Sequence, residues 1–313
     1  MAGKWSASKV GCFSGCPLRY KFQYVDKFTR YPDSRNEYSD KGLAVHETVE
    51  KYTPEMSEED LYNLLDKNTQ KYNVNTEKYP VRHGIEKFLI FWKNFIQPKL
   101  DAGYTFAQET WANGTIAREP FCGALDLYLE NKNDPTAPVY IIDWKTGQSM
   151  NPNSYKNQQV LYAYLKGKEK NWSNDVIADR THLIIFYPLG KEYNKLDPDA
   201  FLRLPIEEQA MRCAKEIVFT EADIKAVIDD YFIQNILMIN RTDFSKFDGS
   251  EGHLGHDCSY CPFAGAKPNP EIGFMGCPKS LEAEVEFPEG FEVVTSKEYK
   301  KRKEAEKNEQ DKS

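Results

Sequence analysis

The 313-residue chain has no apolar run approaching the roughly 20 residues that span a bilayer, and its start, "MAGKWSASKVGC", lacks the apolar stretch of a secretory signal. Both absences point to a cytosolic protein with no membrane partner. An even cysteine count is also missing: seven thiols cannot all pair within one chain, and a reducing compartment disfavours a disulfide framework. Excess positive charge is absent too, and a net charge of −7 speaks against wholesale wrapping of nucleic acid, which is driven by clustered Lys and Arg. No internal repeat is found.

What is present is ordinary for a globular protein, with 40% hydrophobic and 28% charged residues over a length that suits one large core or a core with a satellite. The cysteines are unevenly placed: Cys12 and Cys16 lie near one end, Cys258, Cys261 and Cys277 near the other, and Cys122 and Cys213 between them. Such clustering points to ligands at the ends, while the two central thiols read as core residues. Charge is uneven as well, because residues 1–30 hold six basic residues against Asp26 alone. Trp5, Phe13, Tyr20, Phe22, Tyr24 and Phe28 interleave with them, a pattern that suits either base stacking or an amphipathic core helix.

Residues 5–30 read as a helix capped by Ser6 or Ser8, and 41–52 as a second, which places His46 and Glu50 four apart on one face. Glu50 reads as a solvated helix residue. Helices are also expected over 57–72, opened by "SEED", and over 84–97, stopped at Pro98. Strand signals follow at 104–111, 121–131 and 139–144, then a helix at 154–167, a strand at 181–190 and one or two long helices over 206–240 behind a Thr220 cap. The order favours an α/β fold with a mixed central sheet flanked by helices. Expected segments are 1–40 (basic and aromatic), 41–205 (core), 206–280 (helices and cysteines) and 281–313, whose polar end reads as disordered or as a solvated helix.

Within the strands the acids take particular places. Asp126 interrupts the apolar "GALDLYL", where a carboxylate is costly unless something compensates it, and a divalent cation is the natural partner. Asp143 ends "VYIIDWKTGQ", and Lys145 returns to its face by the period of two. Two acids and an ammonium converging on one spot could hold Mg²⁺, polarise a phosphoryl oxygen and orient an attacking water.

At this point the residues resemble the PD-(D/E)XK nuclease superfamily, and in particular its RecB-like branch: Gly123-x-x-Asp126, then Asp143-Trp144-Lys145-Thr146-Gly147, preceded by His46 on a helix and followed by "NQQVLYAYL" with Gln158, Gln159, Tyr162 and Tyr164. The resemblance implies a restriction-endonuclease-like core. It also implies a Mg²⁺- or Mn²⁺-dependent deoxyribonuclease, an exonuclease on DNA ends or single strands. His46, Asp126, Asp143 and the Trp144 carbonyl would hold the metal, Lys145 would activate water, and Gln159 and Tyr162 would complete the site. Glu109 reads equally as a ligand or as a structural carboxylate.

The terminal cysteines carry a second resemblance. "CPLRYKF" at Cys16 and "HDCSYCPF" around Cys258-x-x-Cys261, with Cys277 beyond, are similar to the iron-sulfur RecB-like nucleases, among them AddB nuclease domains and CRISPR-associated exonucleases. This implies a 4Fe-4S cluster on Cys16, Cys258, Cys261 and Cys277, with Cys12 in reserve. The gap before Cys277 is longer than usual for that group. Zn²⁺ is the alternative, with His253 and His256 just upstream. Rival readings of the whole chain are a non-catalytic DNA-binding adaptor that keeps the fold, and a nuclease directed at RNA.

Overall fold

A computed structural model describes residues 4–31, 37–252, 258, 261–279, 287 and 289–310, and His253 and His256 lie outside them. The chain forms two compact units: Met1–Lys4 with Arg35–Asp230, and Trp5–Ser34 with Tyr231–Ser313. The N-terminal segment supplies α1 (Ala7–Gly15), α2 (Pro17–Tyr20) and β1 (Phe28–Tyr31). The expected continuous helix breaks at Cys16, whose extended backbone closes α1 and opens α2, because Pro17 lacks the N–H that a helix interior needs.

The larger unit is built on helices α3 (Glu37–Glu50), α4 (Glu58–Lys71) and α5 (Val81–Phe91), then β2 (Thr105–Ile116), β3 (Glu119–Glu130) and β4 (Val139–Trp144). It continues with α7 (Lys156–Glu169), α8 (Asn174–Arg180), β5 (Thr181–Phe186), α9 (Ile206–Arg212), β6 (Ala214–Ile217) and α10 (Glu221–Lys225). A short helix, α6 (Gln97–Asp101), follows the π-helical turn that ends α5. The five strands make one mixed sheet in the order β2-β3-β4-β5-β6, with only β4 and β5 parallel. β6 lies within the segment read as helical; four residues between a helix and a capped helix start are too few to show alternation.

Local chemistry explains the elements. Ser57 caps α4 by accepting the Asp60 N–H, and Thr220 with Asp223 makes a reciprocal capping box on α10. α4 buries Leu61 and Leu65, and α5 buries Val81, Ile85 and Phe88, spacings that put one stripe of each helix inward. Those stripes, with Val45 and Val49 of α3, cover Leu127, Leu129, Ile142, Trp144 and Phe186 of the sheet. α7 covers the opposite face, where Tyr162 lies against Gly123 and Leu165 against Gly114. Burial on both faces is why β4 reads as an unbroken apolar run. Among the described residues no helix is long and apolar enough to cross a membrane.

In the smaller unit, α11 (Gln234–Arg241) packs with α1, and β7 (Glu292–Thr295) pairs antiparallel with β1. Trp5, Phe13, Tyr20, Phe22 and Phe28 are buried, so most of the aromatics that interleave with the N-terminal charges are core. The polar end of the chain is a helix, Ser296–Gln310.

Candidate active site

The site forms where the sheet opens. β3 and β4 pair only at Leu127↔Ile142, Tyr128↔Ile141 and Leu129↔Tyr140, so Asp126 and Asp143 stand opposite each other at the first position beyond the ladder. The Asp126 carboxylate takes over where the backbone pairing stops, accepting the Trp144 N–H at 2.7 Å. On the other side of β3 the ladder breaks at the same residue. Gln108↔Leu127 and Thr110↔Leu125 are paired, while Glu109 between them faces Asp126 unpaired, with φ of +47°. A left-handed conformation is uncommon for a residue with a side chain, and such strain concentrates at functional sites. The break also turns β3, so that Gly123 lies under α7 whereas Leu127 and Leu129 enter the core with α3 and α5.

Around this opening the predicted residues come together. His46 Nε2 stands 3.4 Å from Asp126 Oδ2, and its Nδ1 stands 2.6 Å from Glu50. Glu50 is therefore part of the site and not the solvated helix residue expected: the i, i+4 spacing that placed it on the His46 face also brings it to the ring. Lys145 Nζ lies 2.5 Å from Asp143 Oδ2 and faces the Tyr155 ring at 4.9 Å. Gln158 donates to the Tyr162 hydroxyl at 2.8 Å. Gln159 is fully buried, and neither its amide nitrogen nor its oxygen completes a hydrogen bond of good geometry.

Two glycines near the site, Gly123 of the motif and Gly42 of α3, have steric reasons. A Cβ on Gly123 would stand 2.1 Å from the Tyr162 ring, and one on Gly42 would stand 2.8 Å from Thr146 Oγ1. The first contact seats α7 on β3, and the second seats α3 on the loop after Lys145. Gly147 is exposed and meets only the Ser149 carbonyl, at 4.0 Å. The Trp144 ring is buried and meets Phe88 edge-on at 5.5 Å.

The electrostatics are those of crowded acids. Burial opposes charge on His46, but hydrogen bonds and proximity to Asp126 and Glu50 outweigh it and raise its pKa to about 10. Glu109 is pushed up to about 7 by partial desolvation and by the charges of Glu50 and Asp126. Asp143, almost completely buried, is raised by desolvation, against which Lys145 works. The true interior acid is thus Asp143, whereas Asp126 keeps some exposure. Burial disfavours the Lys145 ammonium, yet Asp143 and Asp126 together raise its pKa.

Four carboxylates meet one lysine and one histidine, which leaves a negative excess that suits a divalent cation with hard oxygen ligands. Among the described residues no three His, Cys, Asp or Glu side chains are arranged as a ready coordination set. The acids are instead engaged with His46, Lys145 and the Trp144 N–H.

Cys12, Cys16, Cys258, Cys261 and Cys277 all belong to the smaller unit and are half-buried. Cys16, Cys261 and Cys277 pack on one aromatic cluster of Phe22, Phe28, Phe263 and Phe274. Burial, and less strongly the neighbouring Cys16 and Cys277, raise the Cys261 pKa; burial pushes Cys12 up to about 11. Cys213 is buried in the sheet unit, and Cys122 is half-buried on β3.

A model of the PD-(D/E)XK nuclease superfamily matches residues 4–266. No curated protein matches the chain. Among solved structures, the chain is similar to one titled "Crystal structure of SSO0001", with 16% identity and a TM-score of 0.28 over 74% of this chain and 86% of that one.

Proposed function

The chain belongs to the PD-(D/E)XK nuclease superfamily, and from that premise we propose that it is a Mg²⁺- or Mn²⁺-dependent deoxyribonuclease of the RecB-like type, acting as an exonuclease on DNA ends or single strands. The observation that carries the reading is the meeting of Asp126, Asp143 and Lys145 at the open ends of β3 and β4. His46 against Asp126 and the glutamine and tyrosine of α7 against the same strands support the branch.

Asp126, Asp143, His46 and the Trp144 carbonyl would hold the metal, which when bound supplies Lewis acidity and a lowered water pKa. Asp143 keeps Lys145 protonated, and the ammonium is positioned to orient a water and to offset charge developing on phosphorus. His46 must lose its proton before its nitrogen can ligate, so metal loading opposes the pairing with Glu50 and Asp126. Gln159, buried and incompletely hydrogen-bonded, is poised to accept or donate at the reacting end of the site, and Tyr162 holds α7 against Gly123.

The test offers end-labelled single- and double-stranded DNA, and RNA in parallel, to the purified chain with Mg²⁺, Mn²⁺ or chelator. Metal-dependent loss of DNA label that Lys145→Ala abolishes is expected. A chain that degrades no DNA with either metal sinks the proposal.

A 4Fe-4S cluster on Cys16, Cys258, Cys261 and Cys277 is proposed alongside, supported by three of those thiols sharing one aromatic core. It would tie the two segments of the smaller unit together and couple loading to folding. Anaerobically purified protein with broad visible absorbance and iron supports it, and colourless protein containing zinc replaces it by the Zn²⁺ reading.

A further inference from the structure

Outside the carboxylate cluster, the sheet unit holds a cavity of about 220 Å³, many times the roughly 30 Å³ of a water molecule. Lys41 of α3 and Lys87 of α5 are among its lining residues, and they are only 4% and 2% exposed. Lys78, His83, Gln148 and Lys191 complete its polar wall, and among the described residues no carboxylate lines it. In a chain of net charge −7, four lysines lining one cavity are a local excess of positive charge.

Buried ammonium groups are costly unless their donors are used. Lys87 donates to the Gly190 carbonyl at 2.9 Å and meets Cys213 Sγ at 3.6 Å, two partners for an ammonium that can donate three hydrogen bonds. Lys41 faces the Tyr79 ring at 4.5 Å. Burial lowers the pKa of both, and Lys191 adds to the effect at Lys41. Glu37 partly neutralises Lys78 and accepts the Tyr79 hydroxyl at 2.8 Å, and Glu86 lies 3.6 Å from His83. An anion entering the cavity would relieve the desolvation and the repulsion at once.

The cavity is lined in part by α3, the helix that also carries His46 and Glu50, and by the loop that follows Lys145. Lys41 precedes His46 on α3 by five residues, about 7.5 Å of helix rise, and Gln148 follows Lys145 by three residues in the loop on which Gly42 packs. Two of its lysines, Lys41 and Lys87, are buried, while Lys78, Lys191 and Gln148 are exposed. A phosphodiester has chain leaving on both sides and suits an open groove; a monoester has one chain and a second negative charge, and suits a blind basic pocket. Resting on the nuclease reading, we propose that this pocket binds the terminal phosphate monoester of the strand being degraded and so sets the preference for one kind of end.

The test compares the full chain on oligodeoxynucleotides bearing a 5′-phosphate, a 3′-phosphate or hydroxyl ends. A phosphate at one end is expected to lower KM about tenfold, the value of one charge-assisted hydrogen bond. Lys87→Met, which keeps the apolar stem, and the surface variant Lys191→Gln should erase or reduce that preference. Turnover of hydroxyl-ended DNA should stay within about twofold, as expected for a group outside the reacting atoms. Binding of the same oligonucleotides in chelator, read by fluorescence anisotropy, reports on the pocket even if no substrate is hydrolysed, so the pocket and the nuclease reading can fail separately. Equal affinity for phosphorylated and hydroxyl ends in chelator overturns the proposal. So does a phosphate preference that survives unchanged in both variants.

Discussion

The Asp126 carboxylate accepts the Trp144 backbone N–H at 2.7 Å, so the acid of one strand fixes the strand that carries the other acid. Asp126→Asn retains an acceptor for that N–H, whereas Asp126→Ala leaves it without one. Both variants should lose metal-dependent hydrolysis. In denaturant melts Asp126→Ala should be the less stable of the two, by about 1–3 kcal/mol for the orphaned group. Equal stability would mean that the bond does not hold the strands.

Gly123→Ala places a methyl 2.1 Å from the Tyr162 ring, a distance no relaxed contact allows. The expected cost is about 1–3 kcal/mol of overpacking, with loss of activity as α7 shifts. Adding Tyr162→Leu should recover stability but not activity, which thermal melts and a nuclease assay separate.

Lys145 compensates a buried carboxylate. Lys145→Met should lower stability at neutral pH by about 3 kcal/mol, since an unpaired interior charge remains, and Asp143→Asn in the same chain should restore it. A destabilised Lys145→Met that Asp143→Asn does not repair would refute the pairing.

Glu109 supplies a pH test. Its folded pKa, about 7, lies above its ordinary value of 4.5, so the folded state holds the proton more tightly. Stability from this group is present below about 4.5 and lost as pH rises through 7. His46 has the same sign between 6.5 and about 10. In chelator the melting temperature should therefore fall from pH 5 to pH 8, and Glu109→Gln should melt above the parent at pH 8. A variant melting below the parent there would contradict the repulsion among these acids.

Much of this was legible in the linear pattern. "GALDLYL" and "VYIIDWKTGQ" are adjacent antiparallel strands, and "NQQVLYAYL" is the helix behind them. The residues that the pattern missed were silent for a physical reason. Glu50 looks like any exposed helical acid until the His46 ring is placed beside it, and Lys87 sits in an ordinary amphipathic stripe. β6 is too short to carry a period.

Local periodicity and spacing were enough to read most of the strands and helices of the larger unit and the nuclease-like order of acids, lysine and histidine, but not the break at Cys16 or β6. Where β3 and β4 part company is visible only in the folded chain. That parting sets Asp126 against Asp143, while Glu109 takes its left-handed conformation on the neighbouring strand and α3 and α5 bring two buried lysines to one cavity; burial and charge repulsion of this kind arise between segments distant along the chain.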